Sequence, residues 1–123
     1  MSEKKILVVD DDKDIHAVVR ALFEREYKIS SAFDAVQAGI MARQVQPALI
    51  ILDINLPGGG GEKVYQRLRK MTGLMSVPIL VYTALKREEM EPPIPESELT
   101  VILFKPAAPE AIAEAVHKLL PPS

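Results

Sequence analysis

There is no cysteine in this 123-residue chain, which excludes disulfides and thiolate metal sites and fits a reducing compartment. Long apolar runs are missing too. None approaches the roughly 20 residues of a membrane-spanning helix, and the start, Met1-Ser2-Glu3-Lys4-Lys5, leads into a run too short for a secretory signal. Charge of one sign is also lacking. A formal net charge of −2 and a pI near 5.7 favour no polyanionic partner such as DNA or RNA. These absences leave a cytoplasmic protein with no direct nucleic-acid partner and no membrane contact as the expectation. What is present suits one soluble domain spanning residues 1–123, because 48% hydrophobic and 26% charged residues are ordinary globular values and the length matches a single core.

Four short apolar runs each stop at a polar residue. Ile6-Leu7-Val8-Val9 stops at Asp10, with Asp11 and Asp12 behind it, and Leu49-Ile50-Ile51-Leu52 stops at Asp53. Ile79-Leu80-Val81-Tyr82 stops at Thr83, and Val101-Ile102-Leu103-Phe104 stops at Lys105. Runs of this kind without alternation read as strands buried on both faces, typical of a parallel sheet. All strand C-termini of such a sheet lie on one edge, where ligands bind. Clustered carboxylates, a hydroxyl and an ammonium therefore converge, a set suited to a divalent cation and a phosphoryl group.

Helical patterns alternate with the strands. Ile15, Val18, Val19, Leu22 and Phe23 give a clean amphipathic repeat, with Asp11 or Asp12 available to cap it. Tyr27 to Ala32 is a weaker strand. Ala35 to Gln44 is a second helix with Val36 and Ile40 on one face, and Val64, Leu68 and Met71 mark a third ending near Gly73. Ile112, Val116 and Leu119 mark the last, after Pro106 and Pro109. The order is β-α repeated five times with one weak link. Between Thr83 and Leu99 a helix can start at Leu85, but Pro92, Pro93 and Pro95 forbid its continuation. Only a short or irregular element is expected there.

Each polar residue has a bland reading as well. One of the three adjacent aspartates can cap a helix and meet its dipole, worth about 1 kcal/mol, but capping does not explain why two more tolerate mutual repulsion. Mg²⁺ asks for hard oxygen ligands, and one or two carboxylates plus a phosphate suffice. Asp53 can be a turn residue before Pro57 or a carboxylate nucleophile forming an acyl phosphate. Thr83 can be a β-branched strand end or a donor to a phosphoryl oxygen. Lys105, pinned between an apolar run and Pro106, is an odd place for a solvated lysine and can act as a point charge for phosphate. The Gly58–Gly61 run lacks the lysine of a phosphate-binding loop and reads as a flexible turn. His16 and His117 are expected at the surface, and Lys63, Arg67, Arg69 and Lys70 as the solvated face of the third helix.

In order and spacing, these residues resemble the receiver domain of two-component response regulators over essentially the whole chain. The matching motifs are Val8-Val9-Asp10-Asp11, Asp53-Ile54-Asn55-Leu56-Pro57 followed by Gly61, Thr83-Ala84, and Lys105-Pro106. The resemblance implies an α/β fold, a doubly wound five-stranded parallel sheet in order 2-1-3-4-5 within a flavodoxin-like three-layer sandwich. It implies Asp53 as phosphoacceptor, and Mg²⁺ held by Asp11, Asp53 and the Asn55 carbonyl, with Asp10 acting mainly through a metal-bound water. Thr83, Ala84 and Lys105 would bind the phosphoryl group, and Lys105-Pro106 would be cis. A histidine kinase or phosphotransfer protein would be the partner. The output partner is not named by the sequence, and homodimer formation is left open. The expected role is a signalling receiver catalysing only its own phosphorylation and dephosphorylation.

Three positions depart from the family. Ile102 stands where an aromatic switch residue is usual, Glu98-Leu99 replaces Gly-Ala before the last strand, and Gly59-Gly60 replaces Met-Asp. Two other functions compete. A pseudo-receiver would be an interaction module working without phosphorylation, against which the complete set of site residues argues. A true aspartyl-phosphate phosphatase would want an acid two residues after Asp53, where Asn55 stands.

Overall fold

The computed structural model describes residues 4–57 and 60–121. Strands β1 (Lys5–Val9), β2 (Lys28–Ala32), β3 (Leu49–Leu52), β4 (Ile79–Thr83) and β5 (Thr100–Phe104) alternate with helices α1 (Lys13–Phe23), α2 (Ala35–Val45), α3 (Gly61–Lys70) and α4 (Pro109–Leu119). The strands form one parallel sheet in order β2-β1-β3-β4-β5. Its central strands are apolar apart from Lys5 at the start of β1 and Thr83 at the end of β4, because both faces are covered. Leu7, Val9, Ile50, Leu52 and Val81 face one way, packing with Ala38 and Ala42 of α2 and Val64 and Leu68 of α3. Ile6, Val8, Ile51, Leu80 and Tyr82 face the other, against Val19 and Phe23 of α1 and Ile112 and Val116 of α4. The result is the expected three-layer sandwich. No helix among the described residues is long and apolar enough to cross a membrane.

The links start and stop on local chemistry. The Asp12 carboxylate caps α1 by accepting from the Asp14 N–H, and Asp34 caps α2 by accepting from Gln37 N–H. Gly61 opens α3 so close to the Ile54 carbonyl that no Cβ fits, which ties the glycine to the loop after β3. Gly58 and Gly59 of the expected flexible turn lie outside the described residues. The proline-rich link carries only a 3₁₀ turn, Arg87–Glu89. It is nonetheless packed: Met90 and Ile94 are buried, and buried Glu62 on α3 accepts the Glu91 N–H at 2.9 Å.

Two sequence expectations need correction, those for His16 and Arg69, and a third is completed by the packing. Val36 and Ile40 do share one face of α2, but that face is turned to solvent, at 70% and 52% exposed. The helix seats itself through Ala38 and Ala42, whose small side chains let it approach the sheet closely. His16 is buried, because it lies three and seven residues before Val19 and Phe23 on the inward face of α1. Arg69 is no solvated cation: it donates to the Val77 carbonyl, the Leu99 carbonyl and Thr100 Oγ1, tying α3 to the starts of β4 and β5.

Candidate functional site

Asp10 and Asp53 follow the last residues of the adjacent strands β1 and β3, so the sheet itself sets them side by side. They are held alike. Asp10 Oδ1 accepts the Asp12 N–H at 2.9 Å, and Asp53 Oδ1 accepts the Asn55 N–H at 2.8 Å. Each uses one oxygen to close its own turn and leaves the other facing the pocket. Lys105, just past β5, reaches across β4 and donates to both free oxygens, at 2.8 Å to Asp10 Oδ2 and 3.0 Å to Asp53 Oδ2. Its Nζ also sits 5.4 Å from the centroid of the Tyr82 ring, a cation–π contact, while the Tyr82 hydroxyl accepts the Ala107 N–H at 3.2 Å. Tyr82 thus holds both the ammonium and the turn after it. The Lys105–Pro106 peptide in that turn is cis.

Both aspartates are buried, and one ammonium serves the two. Burial pushes the Asp10 carboxyl above the usual carboxylate range, more strongly than the Lys105 hydrogen bond pulls it down. Burial also works against the Lys105 charge, but the hydrogen bonds it donates to Asp10 and Asp53, with the pull of their charges, outweigh it and hold the ammonium above its ordinary value. Asp11 is exposed at the pocket rim. Carboxylate oxygens of Asp10, Asp11 and Asp53 all lie within 4.8 Å of one another, and all are hard donors. A cluster with more carboxylates than cations fits a divalent cation and suits Mg²⁺.

Thr83 ends β4 fully buried, with its hydroxyl accepting the Leu85 N–H at 3.2 Å. Ala84 follows it, exposed, as is Asn55. Ile102 is buried on the α2–α3 side of β5, and its N–H donates to Glu96 Oε2 at 3.3 Å. The candidate phosphoacceptor, metal-binding and phosphoryl-binding residues all lie at or beside the C-terminal edge of the sheet, whereas Ile102 lies inside β5.

The model of the response regulator receiver domain family matches residues 6–117. The chain belongs to that family. This receiver is 28% identical over 122 residues to sporulation initiation phosphotransferase F of Bacillus subtilis, covering 98% of this chain and 97% of that protein. It is 39% identical over 82 residues to the DNA-binding dual master transcriptional regulator RpaA of a Synechocystis species, covering 66% of this chain and 34% of the regulator. The receiver therefore spans about a third of that relative's length. The signal receiver domain of a response regulator from Bermanella marisrubri superposes with a TM-score of 0.80 at 29% identity, covering 97% of this chain and 99% of that one. The protein is thus a receiver of the two-component type.

Sequence reasoning gave no place beside the site to Tyr82 or to His16, whose Nε2 lies 2.7 Å from the Asp10 carbonyl. For His16 a signal was available in its spacing from Val19 and Phe23. For Tyr82 there was none, since a tyrosine inside an apolar run reads as packing.

Proposed function

We propose that Asp53 accepts a phosphoryl group from the phosphohistidine of a histidine kinase or phosphotransfer protein. The observation that carries this reading is Lys105 Nζ bridging the free oxygens of Asp10 and Asp53 at the ends of adjacent strands. An Asp53 oxygen attacks phosphorus and the O–P bond forms as the donor's N–P bond breaks. The electron pair stays on the leaving nitrogen, which departs as neutral imidazole when its other nitrogen is protonated. Lys105, already aimed at Asp53, pairs with the phosphoryl oxygens. The Thr83 hydroxyl keeps its own hydrogen to donate because it only accepts from Leu85. Ala84, exposed beside it, offers a backbone N–H. Asp10, Asp11, Asp53 and the Asn55 carbonyl would hold Mg²⁺, which when bound neutralises charge on the transferring group. Asn55 is an amide and cannot serve as the general base that would activate water against the acyl phosphate.

The test is incubation with acetyl phosphate and Mg²⁺ followed by intact-mass measurement. One phosphoryl adduct is expected in the wild-type protein and none in Asp53→Asn. An adduct that survives the substitution would move the acceptor elsewhere.

A further inference from the structure

Strand β1 stops pairing at Asp10. The Asp10 N–H still donates to the Ala32 carbonyl at 3.1 Å, but the Asp10 carbonyl is taken by a side chain: His16 Nε2 lies 2.7 Å from it. The imidazole is buried, with its ring centroid 4.4 Å from that of Phe33. A carbonyl only accepts, so Nε2 carries the proton and, in the neutral ring, Nδ1 is the acceptor. Ser31 Oγ stands 2.9 Å from Nδ1. That oxygen receives a hydrogen bond from Arg20 Nη2 at 3.2 Å, which leaves its own hydrogen to point at the ring. A directed chain thus runs from Arg20 through Ser31 and His16 to the Asp10 carbonyl, fixing the tautomer and the ring plane.

The Asp10 carbonyl belongs to the peptide that joins Asp10 to Asp11. Holding its oxygen fixes the plane of that peptide, and with it the direction in which both carboxylates leave the backbone. Asp10 is also secured by Asp12 and Lys105. Asp11 is exposed, and no hydrogen bond to its carboxylate is found among the described residues, so the peptide plane is its principal restraint.

We propose that His16 is a positioning residue of the acidic pocket: by pinning the Asp10–Asp11 peptide it aims both carboxylates at a divalent cation and so sets the affinity for it. His16 touches neither the cation nor the phosphoryl group. The inference rests on the reading of the pocket as a Mg²⁺ and phosphoryl site. Its rival is simple packing, which any apolar side chain of similar size would satisfy.

Calorimetric titration of the full chain with Mg²⁺ separates the two, using wild type, His16→Leu and His16→Gln. The glutamine amide nitrogen can reach the place of Nε2, whereas leucine supplies volume without a donor. His16→Leu is expected to weaken Mg²⁺ binding on the order of tenfold, the scale seen when groups orienting metal ligands are removed. The Mg²⁺ concentration for half-maximal labelling by acetyl phosphate should rise in step, with the labelling rate at saturating Mg²⁺ little changed. His16→Gln should recover most of the affinity. Unchanged Mg²⁺ affinity in His16→Leu, or equal loss in both variants, overturns the proposal. If His16→Leu does not fold, Ser31→Ala carries the test, because it keeps the ring and removes the group that orients it; a several-fold weaker affinity is expected, and wild-type affinity overturns the proposal. A wild-type protein that neither binds Mg²⁺ nor accepts a phosphoryl group brings down the parent reading and this one together. Normal wild-type behaviour with an unaffected His16→Leu brings down this one alone.

Discussion

Asp10 is expected to lower the stability of the metal-free protein. Burial raises its carboxyl above the ordinary value of 3.8, so between that value and the folded-state value the native protein holds a proton that the unfolded chain has released. Stability in this window falls as pH rises, because the unfolded state binds fewer protons. Asp10→Asn should therefore raise the thermal midpoint at pH 7 in chelator, and the gap to wild type should close as pH is lowered below the carboxylate range. The same variant should bind Mg²⁺ more weakly. Thermal scans across pH, with and without Mg²⁺, measure both effects, and a midpoint that drops at pH 7 in chelator would show that pairing with Lys105 outweighs burial. Opposite signs for stability and metal binding in one residue are what a binding group built into a core produces.

At the scale of elements, α2 and the link before β5 carry the informative departures. Helix α2 rests on Ala38 and Ala42, both fully buried, while Val36 and Ile40 face outward. Ile40→Lys should thus change stability by no more than about 0.5 kcal/mol. Ala42→Leu should cost about 1–3 kcal/mol by forcing the helix off the sheet. Urea denaturation of the pair decides it, and the reverse ranking would mean that the apolar face of α2 is the buried one. The link from Leu85 to Glu98 has no α-helical ladder; it is held by Met90 and Ile94 in the core, the Glu62–Glu91 hydrogen bond, the Arg87–Glu96 ion pair, the Ile102 N–H donating to Glu96, and the backbone pair between Ser97 and Thr100. Its first residue hangs on the Thr83 hydroxyl. Drawing that hydroxyl toward a phosphoryl group on Asp53 releases the Leu85 N–H. With Ile102 in place of a ring that could flip, the response should appear as altered hydrogen exchange across residues 85–98 when beryllofluoride is added with Mg²⁺. Glu62→Ala should raise exchange in the same segment without the ligand. Protection that is unchanged in both experiments would count decisively against this coupling.

At the scale of the whole molecule, the pocket exists only in the folded chain. Lys105 meets Asp10 and Asp53 across 95 and 52 residues of sequence, so an unfolded chain has no comparable site. A ligand of the native state alone must stabilise it, by about 2.7 kcal/mol at a hundredfold excess over its dissociation constant. Mg²⁺ at that excess should shift the urea midpoint upward by the corresponding amount, chelator should reverse the shift, and Asp11→Ala should abolish it. A midpoint indifferent to Mg²⁺ would exclude a functional cation site.

The alternation of strands and helices and the convergence of Asp10, Asp53, Thr83 and Lys105 on one sheet edge could be read from the chain, whereas the strand order came only from its resemblance to receivers. The first two depend on local signals: apolar runs of strand length, polar residues at their ends, and a parallel topology that gathers those ends. The failure of the link before β5 to form an α-helix was equally legible, since prolines act on their own backbone. Other features depend on which groups meet across the fold. Helical periodicity placed Val36 and Ile40 on a common face but could not say which face turned inward. That choice went to the alanines, because close approach to the sheet favoured small side chains. His16 and Arg69 looked like surface polarity and became buried or tied down, because backbone carbonyls at the strand ends lay within their reach. Tyr82 gained its contacts with Lys105 and Ala107 only when the chain after β5 folded back over β4. A pattern along the sequence shows which side chains share a direction, while their partners come from elements distant in the chain and are settled by packing.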